Sequence, residues 1–206
     1  RLPCQVPFPS KPKPEFMQPA PTTGREQRSL RTTWVTGLLA LTFVMASNLA
    51  LAQLTGTRTI GVEYPTLTAA VTDINTQGIG AGGLIVNVPA GYTETLTGRL
   101  TLTATGTAAN PLTFQKSGAG ANPVLTAYVG TVATPSVVAD GFFVLAGADY
   151  VTIDGIDLQE SGANTDATTR MEFGYGLFLA SATDGCQNNI IRNCTITLDR
   201  QSNAAW

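Results

Sequence analysis

Two stretches of this chain repeat one pattern of apolar and polar positions. Residues 150–158 read YVTIDGIDL and residues 189–196 read NIIRNCTI, which aligns Ile153 with Ile191 at an offset of 38 residues. Aliphatic residues recur at matched places, a glycine or an asparagine lies between them, and the polar residues vary. The aligned pairs are Ile153/Ile191, Asp154/Arg192, Gly155/Asn193, Ile156/Cys194 and Leu158/Ile196.

A second recurrence lies upstream of each copy. Residues 141–145 (GFFVL) are echoed by residues 176–180 (GLFLA), at an offset of 35 residues. Repeats of about 20–50 residues are typical of solenoids, in which one unit cannot bury its own apolar face and stacks on its neighbours. Side chains alternate along a strand, so the pattern also predicts orientation. The predicted inward residues are Ile153, Ile156, Ile191, Cys194 and Ile196, and the predicted outward ones are Thr152, Asp157 and Thr195.

One stretch has helical rather than strand periodicity. Residues 64–78 (YPTLTAAVTDINTQG) place four apolar side chains on one face, with Thr66 as the predicted N-cap and a glycine-rich end from Gly78 to Gly83. The four are Leu67, Ala70, Val71 and Ile74. Elsewhere, short apolar runs bounded by Gly, Asn and Pro predict strands. They are residues 84–88, 99–103, 111–115, 123–127, 141–145, 150–158, 176–180 and 189–198.

These elements follow one another in a familiar order. The helix, its glycine-rich end, an aliphatic strand and a V-P-A-G-x-Y segment occupy residues 64–94, and this resembles the start of right-handed parallel β-helix proteins of the pectin-lyase-like fold. Residues 150–158 and 189–198 resemble the standard coils of that family. The resemblance implies an all-β protein, a right-handed parallel β-helix solenoid with an N-terminal capping helix. Residues 110–127 also resemble surface or secreted cargo of the type IX secretion system.

The N-terminal residues have a different composition. Residues 1–24 hold seven of the twelve prolines, which predicts either a disordered leader or untranslated sequence, with Met17 as an alternative start. Residues 25–52 combine arginines, a short apolar run and Ala50-Leu51-Ala52, the pattern of a secretory signal peptide that leaves Gln53 as the new N-terminus. A membrane anchor is the alternative, but the apolar run is shorter than the roughly 20 residues of a spanning helix.

Residues 53–206 are then predicted to be the N-terminal cap and first coils of the β-helix, truncated at the C-terminal end. The chain begins with Arg1 and stops at Trp206 directly after a repeat. We expect a fragment of a longer protein, with an uncovered last coil that promotes end-to-end association of the isolated fragment.

Charge is divided unevenly along the chain. Before position 53 there are six basic and two acidic residues, and from position 53 onward there are six basic and twelve acidic ones. An acidic body of this kind argues against nucleic acid as a partner, because phosphate neutralisation needs clustered Lys and Arg. The expected partner is a polysaccharide or a cell-surface glycan, with no membrane contact after signal cleavage.

Candidate catalytic residues are few. The sequence contains no histidine, which excludes a Ser-His-Asp relay and a His-ligated metal site within it. The family resemblance implies carboxylate pairs for hydrolysis, or acidic calcium ligands with an Arg or Lys base for elimination. The candidates are Asp154, Asp157, Asp184 and Arg192, with Asp199 and Arg200 nearby. Asp154 and Arg192 align, so a cross-coil ion pair explains them as well as catalysis does. No cofactor or metal is predicted.

Two further features have alternative interpretations. In an oxidising compartment Cys194 can pair with Cys186, but its alignment with Ile156 favours a small buried apolar residue. Asn193-Cys194-Thr195 matches a glycosylation sequon, but Asn193 also fits a turn, because asparagine tolerates left-handed backbone.

The first functional hypothesis is a secreted or cell-surface β-helix module with a structural, adhesive or glycan-binding role. The alternative is a polysaccharide lyase or glycoside hydrolase whose active site lies mainly in downstream coils. Because one fold hosts both classes, the fold alone does not choose between them.

Overall fold

The computed structural model describes residues 52–131 and 140–199. Within these ranges every pairing between named strands is parallel. The described part of the chain is therefore mostly β and built from parallel sheets, in agreement with the predicted all-β class. The predicted Pro-rich leader and almost all of the predicted signal peptide, including Ala50, lie outside the described residues.

The strands form three sheets. Sheet I contains β1 (Leu54–Thr59), β2 (Ile79–Pro89), β5 (Leu112–Ser117), β8 (Val151–Asp154) and β11 (Ile190–Arg192). Sheet II contains β3 (Thr93–Thr95), β6 (Val124–Thr126), β9 (Asp157–Gln159) and β12 (Ile196–Thr197). Sheet III contains β4 (Leu100–Leu102), β7 (Gly141–Ala146) and β10 (Phe173–Phe178). The helix α1 (Leu67–Gln77) follows β1, and a 3₁₀ turn (Ala167–Thr169) precedes β10.

From β2 onward the chain visits sheets I, II and III in that order, three times, and then enters sheets I and II once more. Neighbours within a sheet are therefore one full circuit apart in sequence. Ile191 pairs with Ile153, and Ile196 pairs with Leu158. The 38-residue alignment of the two repeat copies is confirmed.

The second alignment is wrong by three residues. In sheet III Gly176 pairs with Val144, and Gly141 pairs with Phe173, an offset of 32 rather than 35 residues. The Phe173 ring explains why both glycines are needed. A Cβ on Gly141 would lie 2.1 Å from an atom of this ring, and one on Gly176 would lie 2.7 Å from it. Gly141 on β7 leaves space for the ring of its register partner Phe173, whereas the contact with Gly176 lies within β10. The similar letters GFFVL and GLFLA do not mark the paired positions.

Each repeat copy contains two strands rather than one. Gly155, with φ 70°, separates β8 from β9, and Asn193, with φ 55°, separates β11 from β12. Both residues occupy the left-handed region, which glycine and asparagine tolerate better than other residues. The turn interpretation of Asn193 is confirmed, and the chain passes from sheet I to sheet II at this point.

The aliphatic side chains form one buried core inside the three sheets. Ile153, Ile156 and Leu158 are each 1% exposed, and Ile191 and Cys194 are half-buried against the same core. Thr152 and Asp157 are half-buried, and Thr195 is exposed. The predicted orientation therefore holds for most positions.

Ile196 is the exception, because it is 47% exposed. Its register partner Leu158 is buried, so the side of the strand is as predicted. Within residues 52–131 and 140–199, no strand pairs with the far edge of β12. Ile196 therefore packs on one side only.

Helix α1 has the predicted apolar face. Its four buried residues are Leu67, Ala70, Val71 and Ile74, and the Thr66 side chain accepts a hydrogen bond from the Ala69 N–H at 3.0 Å. The Asn75 side chain bonds the carbonyl of Thr101 in the edge strand β4 and the N–H of Thr103, which follows this strand. The helix thus covers an edge of sheet III. No helix in the described ranges has the length and apolar character needed to cross a bilayer.

The glycine-rich stretch after α1 is strand rather than turn. Gly78 ends the helix with φ 75°, and β2 begins at the next residue. A Cβ on Gly83 would lie 2.4 Å from the Pro111 carbonyl oxygen, and one on Gly80 would lie 2.6 Å from the Thr55 side chain. Glycine is required here because the Pro111 backbone approaches Gly83 closely and the Thr55 side chain fills the space beside Gly80.

Candidate functional site

The candidate residues Asp154 and Arg192 are neighbours, as their alignment predicts. The Arg192 guanidinium donates through Nε and Nη2 to Asp154 Oδ2, at 3.0 and 2.9 Å. Asn193 Nδ2 donates to the other carboxylate oxygen at 2.7 Å. Both oxygens of Asp154 therefore have partners on the next strand of sheet I or at its turn.

Asp157 makes a second set of contacts at the same corner. Its Oδ1 accepts from Asn122 Nδ2 at 2.9 Å and from the Thr195 N–H at 2.8 Å. Asn122 Nδ2 also donates to the Asn193 carbonyl at 2.9 Å. These side chains thus connect three successive circuits. We call Asn122, Asp154, Asp157, Arg192 and Asn193 the polar corner.

The electrostatics of the polar corner favour an ionised Asp154. The hydrogen bond from Asn193 is the largest cause of a lowered pKa at Asp154; partial burial opposes it, and Arg192 lowers the pKa further. A general acid needs a raised pKa, so this carboxylate is suited to holding strands together rather than to donating a proton. The exposed ion pair itself contributes about 0–1 kcal/mol.

This geometry predicts how Asp154 titrates. Because its folded-state pKa is depressed, its contribution to stability is present above the unfolded pKa of about 3.9 and is lost as pH falls through the lower folded value. Carbon-detected NMR titration should give a midpoint below the ordinary value. Asn193→Gly should raise it, because glycine keeps the left-handed turn and removes the amide. An unchanged midpoint in Asn193→Gly would contradict the assigned cause.

Asp184 and Asp199 contact residues outside the polar corner. Asp184 belongs to an exposed turn in which its carbonyl accepts from the Ala180 N–H at 2.8 Å. Its carboxylate lies beside Gly147, where a Cβ would be 2.9 Å from Oδ2. Asp199 forms an ion pair with Arg170 at 3.0 Å. Arg200 lies outside the described residues.

The two cysteines have separate surroundings. Cys186 and Cys194 are free thiols, with Cys186 Sγ donating to the Leu145 carbonyl at 3.1 Å and Cys194 Sγ to the Arg192 carbonyl at 3.0 Å. The hydroxyl of the half-buried Tyr175 donates to the Ile156 carbonyl at 2.8 Å and contacts Cys194. Burial is the main cause that raises the pKa of Tyr175. The interpretation of Cys194 as part of the apolar core fits these contacts.

Sheet III carries an aromatic surface that sequence reasoning missed. The rings of Phe173 and Phe178 meet edge to face, with centroids 5.5 Å apart and an interplanar angle of 81°. Phe178 is 37% exposed and Leu179 is 67% exposed. The available signal was the alternation of glycine and aromatic residues in FGYGLF, in which Gly176 leaves space for the rings of Phe173 and Phe178.

Beside these rings lies a groove of about 470 Å³. Its apolar side chains come from β7, from the end of β10 and from Leu179, which follows β10. Its polar side chains come from β4 and from Arg99, which precedes β4. We call it the apolar groove. It is lined by Arg99, Thr101, Val144, Ala146, Phe178 and Leu179. Ligand sites in proteins commonly combine apolar walls with a small number of polar groups.

A second, polar cavity of about 340 Å³ lies against the loop between β9 and β10. Glu160 and Asn164 line it, but both side chains are buried and form hydrogen bonds with the loop itself. Glu160 accepts from the Met171 N–H at 2.9 Å, and Asn164 Nδ2 donates to the Thr169 carbonyl at 3.0 Å. These two side chains shape the loop. In the described part of the chain, no group of three or more His, Cys, Asp or Glu residues could hold a metal ion.

Comparison of the chain with protein-family models, curated proteins and solved structures finds no match among any of the three.

Proposed function

We propose that this chain is a secreted or cell-surface module, folded as a right-handed parallel β-helix, that binds glycan at the apolar groove of sheet III. The observation that carries the proposal is the exposed Phe178 ring beside Thr101 and Arg99. One face of a sugar ring is apolar and packs on an aromatic ring, whereas its hydroxyls need donors and acceptors at the edge.

The circuit through sheets I, II and III supports the β-helix part of the proposal. Each circuit adds one parallel strand to each sheet, so that successive circuits stack as the coils of a solenoid do. A right-handed path is the one that connections between parallel strands almost always take. Helix α1, which covers β4 and shares the core, serves as the N-terminal cap.

The contacts of the polar corner favour a structural or binding role. Asp154 and Asp157, the candidates for catalysis, join strands of successive circuits through Arg192, Asn122 and the Thr195 backbone. The alternative, a polysaccharide lyase or glycoside hydrolase, requires carboxylates or bases that face a substrate. Release of products from a polysaccharide distinguishes the two.

Glycan binding is tested with insoluble cellulose and xylan and with polygalacturonate gels. The chain should be depleted from solution by at least one of them, and Phe178→Ala should weaken that binding about tenfold or more, since losing about 1.4 kcal/mol of ring contact lowers affinity tenfold. Ile85→Ala is the matched control, because Ile85 on sheet I is 38% exposed.

Two results would contradict the proposed glycan site. One is equal binding by Phe178→Ala and Ile85→Ala, and the other is no binding to any of the three polymers. Release of new reducing ends or unsaturated products from the same polymers would favour the enzymatic alternative.

Export is the second part of the proposal. The predicted cleavage leaves Gln53 as the first residue, and β1 begins one residue later, at Leu54. The cut would thus fall directly before the folded body. Expression of the whole chain with its own leader in a secreting host should give a mature protein that starts at Gln53, identified by mass spectrometry of its N-terminal peptide. Secreted protein that retains residues 1–52 would contradict cleavage.

A further inference from the structure

Gln53 lies outside the first strand of the fold. It is exposed, and the pairing of β1 with β2 begins at Leu54, whose N–H donates to the Gly78 carbonyl at 3.0 Å. The backbone is therefore held from Leu54 onward. After the proposed cleavage, the amino group of Gln53 would be free beside its own side chain.

The Gln53 side chain lies beside Gly78 and Gly80. A Cβ on Gly80 would lie 3.0 Å from Gln53 Cβ, so Gly80 leaves the space in which this carbon lies. The side-chain Nε2 approaches the position of a Gly78 Cβ only to 3.8 Å, an ordinary van der Waals distance. Because Gln53 is exposed and precedes the first paired residue, its carboxamide can turn back toward its own backbone nitrogen without disrupting a strand pairing.

An N-terminal glutamine carries both groups that react in a ring closure, an α-amine and a side-chain carboxamide. The neutral α-amine attacks the side-chain carbonyl carbon, a new N–Cδ bond forms, and the Cδ–Nε2 bond breaks. The leaving nitrogen takes the proton that the amine gives up and departs as ammonia. No oxidant, reductant or co-reactant is needed. The amine has an ordinary pKa of about 7.7–8.0, so a fraction of it is neutral at pH 7.

We infer that the mature protein carries pyroglutamate at position 53. This inference rests on the export proposed above, because only cleavage after Ala52 makes Gln53 the first residue. The five-membered lactam removes the positive charge of the amine and leaves the chain without a free α-amino group. A neutral, blocked end then precedes the edge strand β1, where aminopeptidases would otherwise begin to remove residues.

The experiment uses the whole chain, secreted from its own leader. Intact-mass and tandem mass spectrometry should show a mature protein that begins at residue 53, lighter than the unmodified sequence by one ammonia, with an N-terminus that amine-reactive reagents do not label. Gln53→Ala is the matched control. It cannot cyclise and should be labelled fully at its N-terminus.

The possible outcomes separate the modification from the cleavage. A mature chain that starts at Gln53 with a labelled amine, after incubation at neutral pH, would overturn the inference and leave the proposed cleavage intact. A start at any other residue would overturn both. A blocked N-terminus at Gln53, together with a labelled N-terminus in the Gln53→Ala variant, would support both.

Discussion

Replacing Ile156 with aspartate is expected to unfold the protein or to lower its stability by about 3–5 kcal/mol. Ile156 is 1% exposed and follows the turn at Gly155. The substitution removes about 1.5–3 kcal/mol of apolar burial and introduces a carboxyl group that costs about 1–3 kcal/mol when it lacks a partner. A loss of this size is a large fraction of the stability of a typical domain.

Chemical denaturation monitored by circular dichroism measures this effect. Thr152→Ala is the matched control, because Thr152 lies in the same repeat copy, on the opposite side of β8 from the buried Ile153, and is only half-buried. It should change stability by less than about 0.5 kcal/mol. Similar losses for both variants would mean that the register of β8 and the turn after it is wrong.

The effect of Asp157→Ala on stability depends on more than the outward orientation of Asp157. Orientation alone predicts a nearly neutral change. The structure adds two hydrogen bonds to its carboxylate, from Asn122 and Thr195. Asp157 is therefore unsuitable as a neutral control for Ile156→Asp.

Replacing Glu94 with alanine is expected to destabilise the protein by about 2–4 kcal/mol and to loosen α1. Glu94 Oε2 accepts from the Leu67 N–H and the Tyr92 hydroxyl, both at 2.8 Å, and Oε1 accepts from the Thr68 N–H at 3.2 Å and from the Thr68 hydroxyl. Hydrogen bonds to a charged group contribute about 1.5–3 kcal/mol, and a buried donor left without a partner is costly.

The position of this carboxylate explains the size of the effect. Glu94 is 9% exposed and lies at the N-terminus of α1, where unpaired N–H groups and the helix dipole favour a negative charge. Burial is the largest cause of a raised pKa at Tyr92, and Glu94 raises it further, in keeping with a hydroxyl that donates to this carboxylate. One side chain from sheet II thus fixes the start of the helix.

Two variants accompany Glu94→Ala. Glu94→Gln keeps an acceptor oxygen and removes the charge, so it should lose less stability. Thr66→Ala removes the local N-cap alone and should lose about 0.5–2 kcal/mol. Hydrogen exchange of the α1 amides should rise in the same order as the loss of stability. Equal protection in Glu94→Ala and the unmodified protein would show that the carboxylate does not hold the helix.

Local pattern determined much of this protein. The apolar face of α1 follows from helical spacing within eleven residues, and the turns at Gly155 and Asn193 follow from residues that tolerate left-handed backbone. The pairing of Ile153 with Ile191 could also be predicted, because both copies carry the same alternation and a slip by one residue would turn every aliphatic side chain to solvent. That pairing placed Arg192 beside Asp154.

Contacts between elements outside the two aligned repeat copies could be found only from the tertiary structure. Glu94 bonds Leu67 across 27 positions, and no local signal marks it as the cap of a helix that precedes it. In sheet III Phe173 pairs with Gly141, which leaves space for its ring, although the similar letters GFFVL and GLFLA suggest a different register. The apolar groove arises where residues of successive circuits meet. A linear pattern specifies which side a residue faces, whereas the neighbours on that side depend on how the circuits stack.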